Sequence, residues 1–215
     1  MKVKLTLFCY FVPMENPVKA WWEARYRNRE YVYGTVPNRY FRDKIQRIPP
    51  GKMLMVCEGE GRNAVYASLK GWQVVAMDYS ELARNKALKL SRLKNAPILY
   101  ELAAVEEYDF QVAEYDAAVL IFCHFAPDVR KSVHRLVVTS LKSHGKVILE
   151  AFITEQFGRE SGGPLEPEML YDKKTLEEDF AGLIIYESEQ KEVLLNEGIY
   201  HVGMANVIRL FAEKA

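Results

Sequence analysis

The apolar positions along the chain fall into two rhythms. Residues 53–57 (Met53, Leu54, Met55, Val56, Cys57) and 74–77 (Val74, Val75, Ala76, Met77) are short and wholly apolar. Such runs mark strands buried on both faces. Residues 98–102, 115–122 and 146–152 give three more strands of the same kind. Between them the spacing turns helical. Ala83, Ala87, Leu90 and the stem of Lys94 share one face of a helix capped by Ser80. Val129, Val133, Leu136, Val137 and Leu141 share one face of a helix that begins at Pro127 or Asp128 and ends at Gly145. Strand and helix in alternation predict a parallel sheet with right-handed crossovers.

The two ends of the chain break this rhythm. Residues 17–29 and 39–47 predict helices ahead of the first strand, the former with Trp21, Trp22 and Tyr26 on one face. Residues 31–38 interrupt them with β-formers and turn residues. Residues 153–171 form a long Gly-, Pro- and Glu-rich segment, and loops of that length are usually functional. Asp172 caps a short helix to about residue 180. Residues 183–195 and 200–212 read as a hairpin joined at 196–198. The predicted organisation is one α/β domain over 1–215. It comprises an N-terminal extension or extra strand (1–16), a helical cap (17–48), a cofactor-binding core (52–152), a lid-like loop (153–171) and the hairpin (183–212).

Composition narrows the function classes. The 215 residues suit one domain with a core, and 49% are hydrophobic, which excludes disorder. Formal net charge is zero. No global field favours nucleic acid or an anionic membrane, and neither is expected as a partner. Cys9, Cys57 and Cys123 match no metal spacing, so no metal is expected, and they fit a reducing cytoplasm. The apolar run 5–12 behind Lys2 and Lys4 superficially resembles a signal peptide but is too short to cross a bilayer. An added edge strand, or an extension ahead of a start at Met14, is the expectation. The chain is expected to be a monomer or homodimer.

Candidate chemistry centres on residues 52–78. Gly59 and Gly61 follow the first strand and allow a sharp turn with close ligand approach. Asn63 is placed to cap the next helix, and Gly71 to end it. Asp78 stands at the tip of the second strand, where a carboxylate accepts hydrogen bonds from ribose hydroxyls. A nucleoside-containing cofactor follows. The pattern Gly59-x-Gly61-x-x-Ala64 with Asp78 also fits an NAD(P)-dependent oxidoreductase. Against that reading, no substrate domain follows, and the Tyr66/Lys70 spacing lies on the first core helix.

The segment Glu58-Gly59-Glu60-Gly61-Arg62-Asn63, the Tyr31-Val-Tyr-Gly-Thr-Val-Pro-Asn38 run, Ile121-Phe-Cys-His124 and the Gly162-Gly-Pro164 loop carry a resemblance. Together they are similar to the class I S-adenosylmethionine-dependent methyltransferases, in the tellurite-resistance and thiopurine methyltransferase-like branch. The resemblance implies a Rossmann-like, seven-stranded sheet in the order 3-2-1-4-5-7-6, strand seven antiparallel, with helices on both faces. It implies S-adenosylmethionine as cofactor and a small-molecule methyl acceptor, a thiol or a tellurium or selenium oxyanion. By the same resemblance, Glu58, Gly59, Glu60 and Gly61 cradle the methionine part. Asp78 takes the ribose and Tyr79 packs on adenine. Ile121 and Phe122 lie beside the methyl, and Tyr31 and Tyr33 close over the cofactor. The chain departs from the pattern at Met55, where an acid is frequent, and at Cys57, where a glycine is usual. It departs again at Ala104, where an aspartate often binds adenine. Backbone near Ala104 and Val105 is then expected to hold that ring. A cofactor-binding protein without catalysis is the non-enzymatic alternative.

Methyl transfer from a sulfonium needs an aligned nucleophile more than a strong base. His124, just past strand four, is either an orienting or proton-accepting residue for the acceptor or a loop histidine bonded to backbone. Arg62 is a candidate fork for an anionic acceptor. Arg130 reads as a surface ion pair, and His134 and His144 as surface residues. His201 faces the site only if the hairpin register allows it.

Overall fold

A computed structural model describes residues 17–215. The expectations placed on residues 1–16, the extra strand and Cys9 included, lie outside the described residues. Seven strands form one sheet: β1 (Lys52–Val56), β2 (Gln73–Asp78), β3 (Leu99–Leu102), β4 (Tyr115–Ile121), β5 (Leu141–Phe152), β6 (Leu183–Glu197) and β7 (His201–Lys214). Their order is β3-β2-β1-β4-β5-β7-β6. The first five are mutually parallel, and β7 runs antiparallel to both β5 and β6. This is the architecture the resemblance implied.

The continuous apolar runs are explained by helices on both faces. Leu54, Val56, Val75, Met77, Leu120 and Leu149 point to one side. There they pack with Val133 and Val137 of α5 (Pro127–Ser140) and Leu176 and Phe180 at α6 (Lys173–Asp179). The alternate residues Met53, Met55, Val74 and Ala76 point to the other. They meet Phe41 and Ile45 of α2 (Arg39–Ile45), Ala64 and Ala67 of α3 (Arg62–Leu69) and Ala87 of α4 (Glu81–Lys94). Met55 is fully buried in that layer, where an ionised carboxylate would lack a partner. α1 (Pro17–Tyr26) packs on α4.

Helix ends differ from expectation in two places. Asn63 does not cap α3. The Glu58 carboxylate does, accepting from Asn63 N (2.9 Å) and Ala64 N (2.8 Å), while Asn63 lies inside the helix and its Oδ1 accepts from Asn38 N (2.8 Å). α5 ends at Ser140, before Gly145, and β5 starts at once with Leu141 paired to Tyr115. The Lys214 ammonium donates to the carbonyls of Val138, Thr139 and Leu141 (3.0, 3.4 and 2.7 Å). A cation on the orphan carbonyls of a helix end replaces the glycine. Ser80 and Asp172 cap α4 and α6 as predicted.

The segment 153–171 is anchored at both ends, by a bridge between Ile153 and Tyr171 and by Gln156, whose amide donates to Ser161 Oγ and Gly162 O (both 2.9 Å). The β6–β7 turn docks on the cap. Ile199 N donates to Val32 O (2.9 Å). Gly198 has φ +70°, and a Cβ there would lie 2.3 Å from Val32 O and 2.5 Å from Tyr33 Cα. No side chain fits against that backbone. Gly198→Ala is expected to cost about 1–3 kcal/mol, at roughly 2–4 °C of Tm for each kcal/mol in a chain of this size. Thermal unfolding checks it, and an unchanged midpoint would mean the turn does not dock.

Candidate functional site

The site lies at the carboxyl ends of β1, β2 and β4, where the chain reverses between β1 and β4 in the sheet order. Past β1 the backbone turns through Cys57 (φ 51°), Gly59 (φ 62°) and Gly61 (φ 85°). Cys57 therefore adopts a left-handed conformation that glycine would take without strain. Glycine is required at 61, because a Cβ would stand 2.6 Å from Ala87 Cβ. At 59 a Cβ would stand 2.8 Å from Tyr26 Oη. Tyr100 Oη donates to Gly59 O (2.6 Å) and fixes the loop from below.

The Asp78 carboxylate faces this turn. Its oxygens accept from Gly59 N (3.1 Å) and Ser80 N (2.9 Å). Burial raises its pKa to about 6, against the lowering effect of those backbone donors. A carboxylate has about four acceptor positions, so two remain for hydroxyl donors. Burial also raises Glu58 to about 7, opposed by its bonds to the start of α3. Tyr79 is half-buried beside Asp78, and Ala103 N donates to Asp78 O (3.1 Å) just ahead of Ala104 and Val105.

The cap closes over the turn. Trp22 and Tyr26 stack (5.4 Å between centroids), and Tyr33 meets Tyr26 edge-on (6.5 Å). Glu60 points away from any ligand: it is ion-paired with Lys86 (2.5 Å) and accepts from Tyr33 N (3.4 Å). Only its backbone can line the cradle. The Arg25 guanidinium lies over the rings of Tyr200 (3.7 Å) and Trp21 (4.6 Å).

On the acceptor side, Phe122 follows β4 with φ 55°, stacked on Phe152 (4.5 Å), with Ile121 half-buried before it. His201 is buried and meets Phe122 edge-on (4.5 Å), while its ring lies 4.5 Å from that of Tyr33. The hairpin register pairs it with Glu197. From sequence, the place of His201 depends on that register, and the structure puts it at the strand tips. Its sequence position gave no local sign, because a fifteen-residue strand and a turn separate it from the preceding helix.

Two candidate acceptor residues are otherwise engaged. His124 Nδ1 lies 2.9 Å from Met169 O, and Phe152 N donates to Nε2 (3.2 Å). Both ring nitrogens are thus taken by backbone, and burial holds its pKa at about 4. The catalytic assignment is corrected: His124 is a neutral, structural histidine that ties β4 to the 153–171 segment. Arg62 is buried, with Nη2 on Glu197 (2.7 Å) and Nη1 donating to Tyr33 O (3.2 Å). Its fork is closed to an anionic acceptor. His134 is not on the surface either. It is fully buried, 2.8 Å from Asp179, which Arg130 also holds. No cluster that could hold a metal ion occurs among the described residues.

Residues 53–145 match the family model described as a methyltransferase domain. That match lies within the sheet core and covers less than half of the chain. The fold is shared with solved structures of S-adenosylmethionine-dependent methyltransferases. Solved structures agree over nearly the whole chain. TehB from Haemophilus influenzae superimposes with TM-score 0.68 at 18% identity, over 92% of this chain and 67% of that one. A protein studied for conversion of a disulfide bond into a thioacetal group during echinomycin biosynthesis gives 0.75 at 14% identity, over 92% and 91%. A Burkholderia thailandensis 1,6-didemethyltoxoflavin-N1-methyltransferase, solved with that compound and S-adenosylhomocysteine, gives 0.67 at 17% identity, over 100% and 93%. A curated sequence, Hemagglutinin 1 of Eikenella corrodens, is 32% identical over 82 residues. That match spans 35% of this chain and 27% of the relative. No helix among the described residues is long and apolar enough to cross a membrane.

The residues present fit the cofactor: Asp78, at the strand tip beside the glycine turn, offers free acceptor positions to a diol. The raised carboxyls predict a pH effect on the protein alone. Glu58 and Asp78 favour their protonated forms in the fold. The stability this gives is present below about pH 4 and is lost as pH rises through 6 and 7. Glu58→Gln keeps an acceptor for the start of α3 and should flatten this fall, by up to about 3 kcal/mol between pH 4.5 and 8. Urea unfolding across that range tests it, and an unchanged slope would place the titration elsewhere.

Proposed function

We propose that the protein transfers a methyl group from S-adenosylmethionine to a small, uncharged acceptor. When bound, the cofactor supplies a methyl already activated by a sulfonium. The protein's own task is to orient, to enclose and to exclude water. Asp78 would hold the ribose hydroxyls, and the backbone from Glu58 to Gly61 the amino-acid part. Arg25, whose Nε is buried without a hydrogen-bond partner among the described residues, would take the cofactor's carboxylate. Tyr79 and the backbone at Ala104 and Val105 would flank the adenine. Ile121 and Phe122 would border the methyl.

The observation that carries the acceptor class is the aromatic enclosure of Tyr33, Phe122 and Phe152, from which Arg62 is withdrawn by its ion pair to Glu197. A thiol or another neutral nucleophile suits such walls. A tellurium or selenium oxyanion would find no free guanidinium fork there, so the tellurite part of the expectation lacks support at this site. Neighbours at this level of identity share the fold, and their acceptors differ among themselves.

Melting the protein with S-adenosylhomocysteine or with NAD separates the cofactors: stabilisation by S-adenosylhomocysteine alone is expected, and stabilisation by NAD alone would refute the reading. Methyl transfer to a panel of thiols, phenols and chalcogen oxyanions then divides enzyme from sensor. Asp78→Ala should weaken S-adenosylhomocysteine binding at least ~100-fold, since two hydrogen bonds to a charged group are lost. Circular dichroism should stay native. Unchanged affinity by calorimetry would remove the ribose assignment.

A further inference from the structure

His201 is the one buried imidazole at the strand tips whose nitrogens are both without hydrogen-bond partners among the described residues. Nδ1 is fully buried and unpartnered, 3.6 Å from Glu197 Oε2. That gap is just beyond hydrogen-bond length. The opposite edge of the ring faces Gly162. A Cβ on residue 162 would stand 2.6 Å from His201 Cδ2 and 3.1 Å from Nε2, so only glycine backbone fits against that edge and no side chain there reaches Nε2. The ring is walled by Tyr33, Phe122 and Phe152, at 4.5, 4.5 and 5.3 Å between centroids. The same Tyr33 donates its amide to Glu60 of the glycine turn. One residue therefore bridges the cofactor loop and His201.

From this geometry, and resting on the methyltransferase reading above, we propose that His201 accepts the proton from a planar O–H or N–H acceptor, with Glu197 orienting it. In that step the acceptor's O–H bond breaks and its electron pair forms the new O–CH₃ bond. The S–CH₃ bond breaks with its pair going to sulfur, which leaves S-adenosylhomocysteine. The proton passes to Nε2, and the resulting imidazolium lies against the Glu197 carboxylate. Closing the 3.6 Å gap to hydrogen-bond length as charge develops would strengthen that contact when it is needed. A carboxylate behind Nδ1 also selects the tautomer with Nδ1–H, which leaves the lone pair on Nε2.

The charged and titratable groups around the ring are accounted for. Burial lowers the His201 pKa, and Arg62 and Arg25 act in the same direction, while Glu197 opposes them. Glu197 stays ionised: burial raises it, but His201 and Arg62 outweigh this and hold it at about 2. Tyr33 is neutral, raised by burial to about 12. At neutral pH the pair is thus imidazole and carboxylate, the state a proton acceptor requires.

The test compares a phenol with a thiophenol that is ionised at assay pH, in wild type, His201→Gln and Glu197→Gln. His201→Gln should lose at least 100-fold more kcat/KM for the phenol than for the thiophenolate, and the acid limb of the phenol's pH profile should disappear. Glu197→Gln, which removes the charge behind Nδ1 while keeping an acceptor for Asn38, should lose less. S-adenosylhomocysteine stabilisation must persist in both variants, which shows that they fold. Nitrogen-15 NMR of the protein without ligand gives a readout independent of turnover: His201 should be the Nδ1–H tautomer. Equal losses for the two acceptors, or an Nε2–H tautomer, would overturn the assignment. A wild type that binds S-adenosylhomocysteine and methylates nothing in the panel would overturn the proposed function, and the assignment with it.

Discussion

The acceptor side of this molecule depends on a buried chain of charge-assisted hydrogen bonds. Arg62 binds Glu197, Asn38 donates to both Glu197 (3.1 Å) and Glu150 (2.6 Å), and Arg209 pairs with Glu150. Glu150 is 1% exposed and Arg62 7%. Two cations and two carboxylates balance, so no bare charge is left in a region of low dielectric. Remove one member and its neighbour is stranded, at several kcal/mol. The chain links five elements that are far apart in sequence: the cap at Asn38, α3, β5, the end of β6 and β7. Its value is in position more than in net stability. It fixes the hairpin turn against the cap, and that sets where His201 and Tyr33 meet.

The cofactor side rests on a different constraint, the space between backbones. Gly61 touches α4 and Gly59 lies under Tyr26. Cys57 accepts left-handed strain to keep the same turn. Here the polar groups are few, and burial raises the pKa of both carboxyls, Asp78 to about 6 and Glu58 to about 7. A cationic ligand reverses that balance, because it favours the ionised carboxylates. The same burial that weakens the protein alone at neutral pH therefore adds to its preference for a sulfonium-bearing ligand.

The strands were legible because they are buried on both faces, which leaves an uninterrupted apolar run that few other structures require. The glycine turn and Asp78 were legible because they are local, within one strand-turn-helix-strand unit. What the sequence concealed was long-range. α5 stops early because Lys214, seventy-four residues past Ser140, takes its last carbonyls. Glu58 caps α3 because Asn63 is drawn away to Asn38. His134 is buried because Asp179 of another helix compensates it. In each case a polar side chain found a partner that no periodicity reveals.

The two histidines at the strand tips make the point most sharply. His124 sits where sequence order alone would put a base, one residue beyond the cysteine that follows the strand-four tip. Yet Met169 and Phe152 occupy both of its nitrogens, and a base whose lone pair is already bound to an amide must break that bond before it can act. His201 sits at the start of the last strand, a place that periodicity treats as ordinary hairpin. There it has a carboxylate behind it, an Nε2 with no hydrogen-bond partner among the described residues in front, and aromatic walls on its sides. Proton transfer is decided by which nitrogen is free and what stands behind the other one. That quantity belongs to the register of β6 on β7 and to a glycine thirty-nine residues earlier in the chain, not to the neighbours of the histidine in sequence.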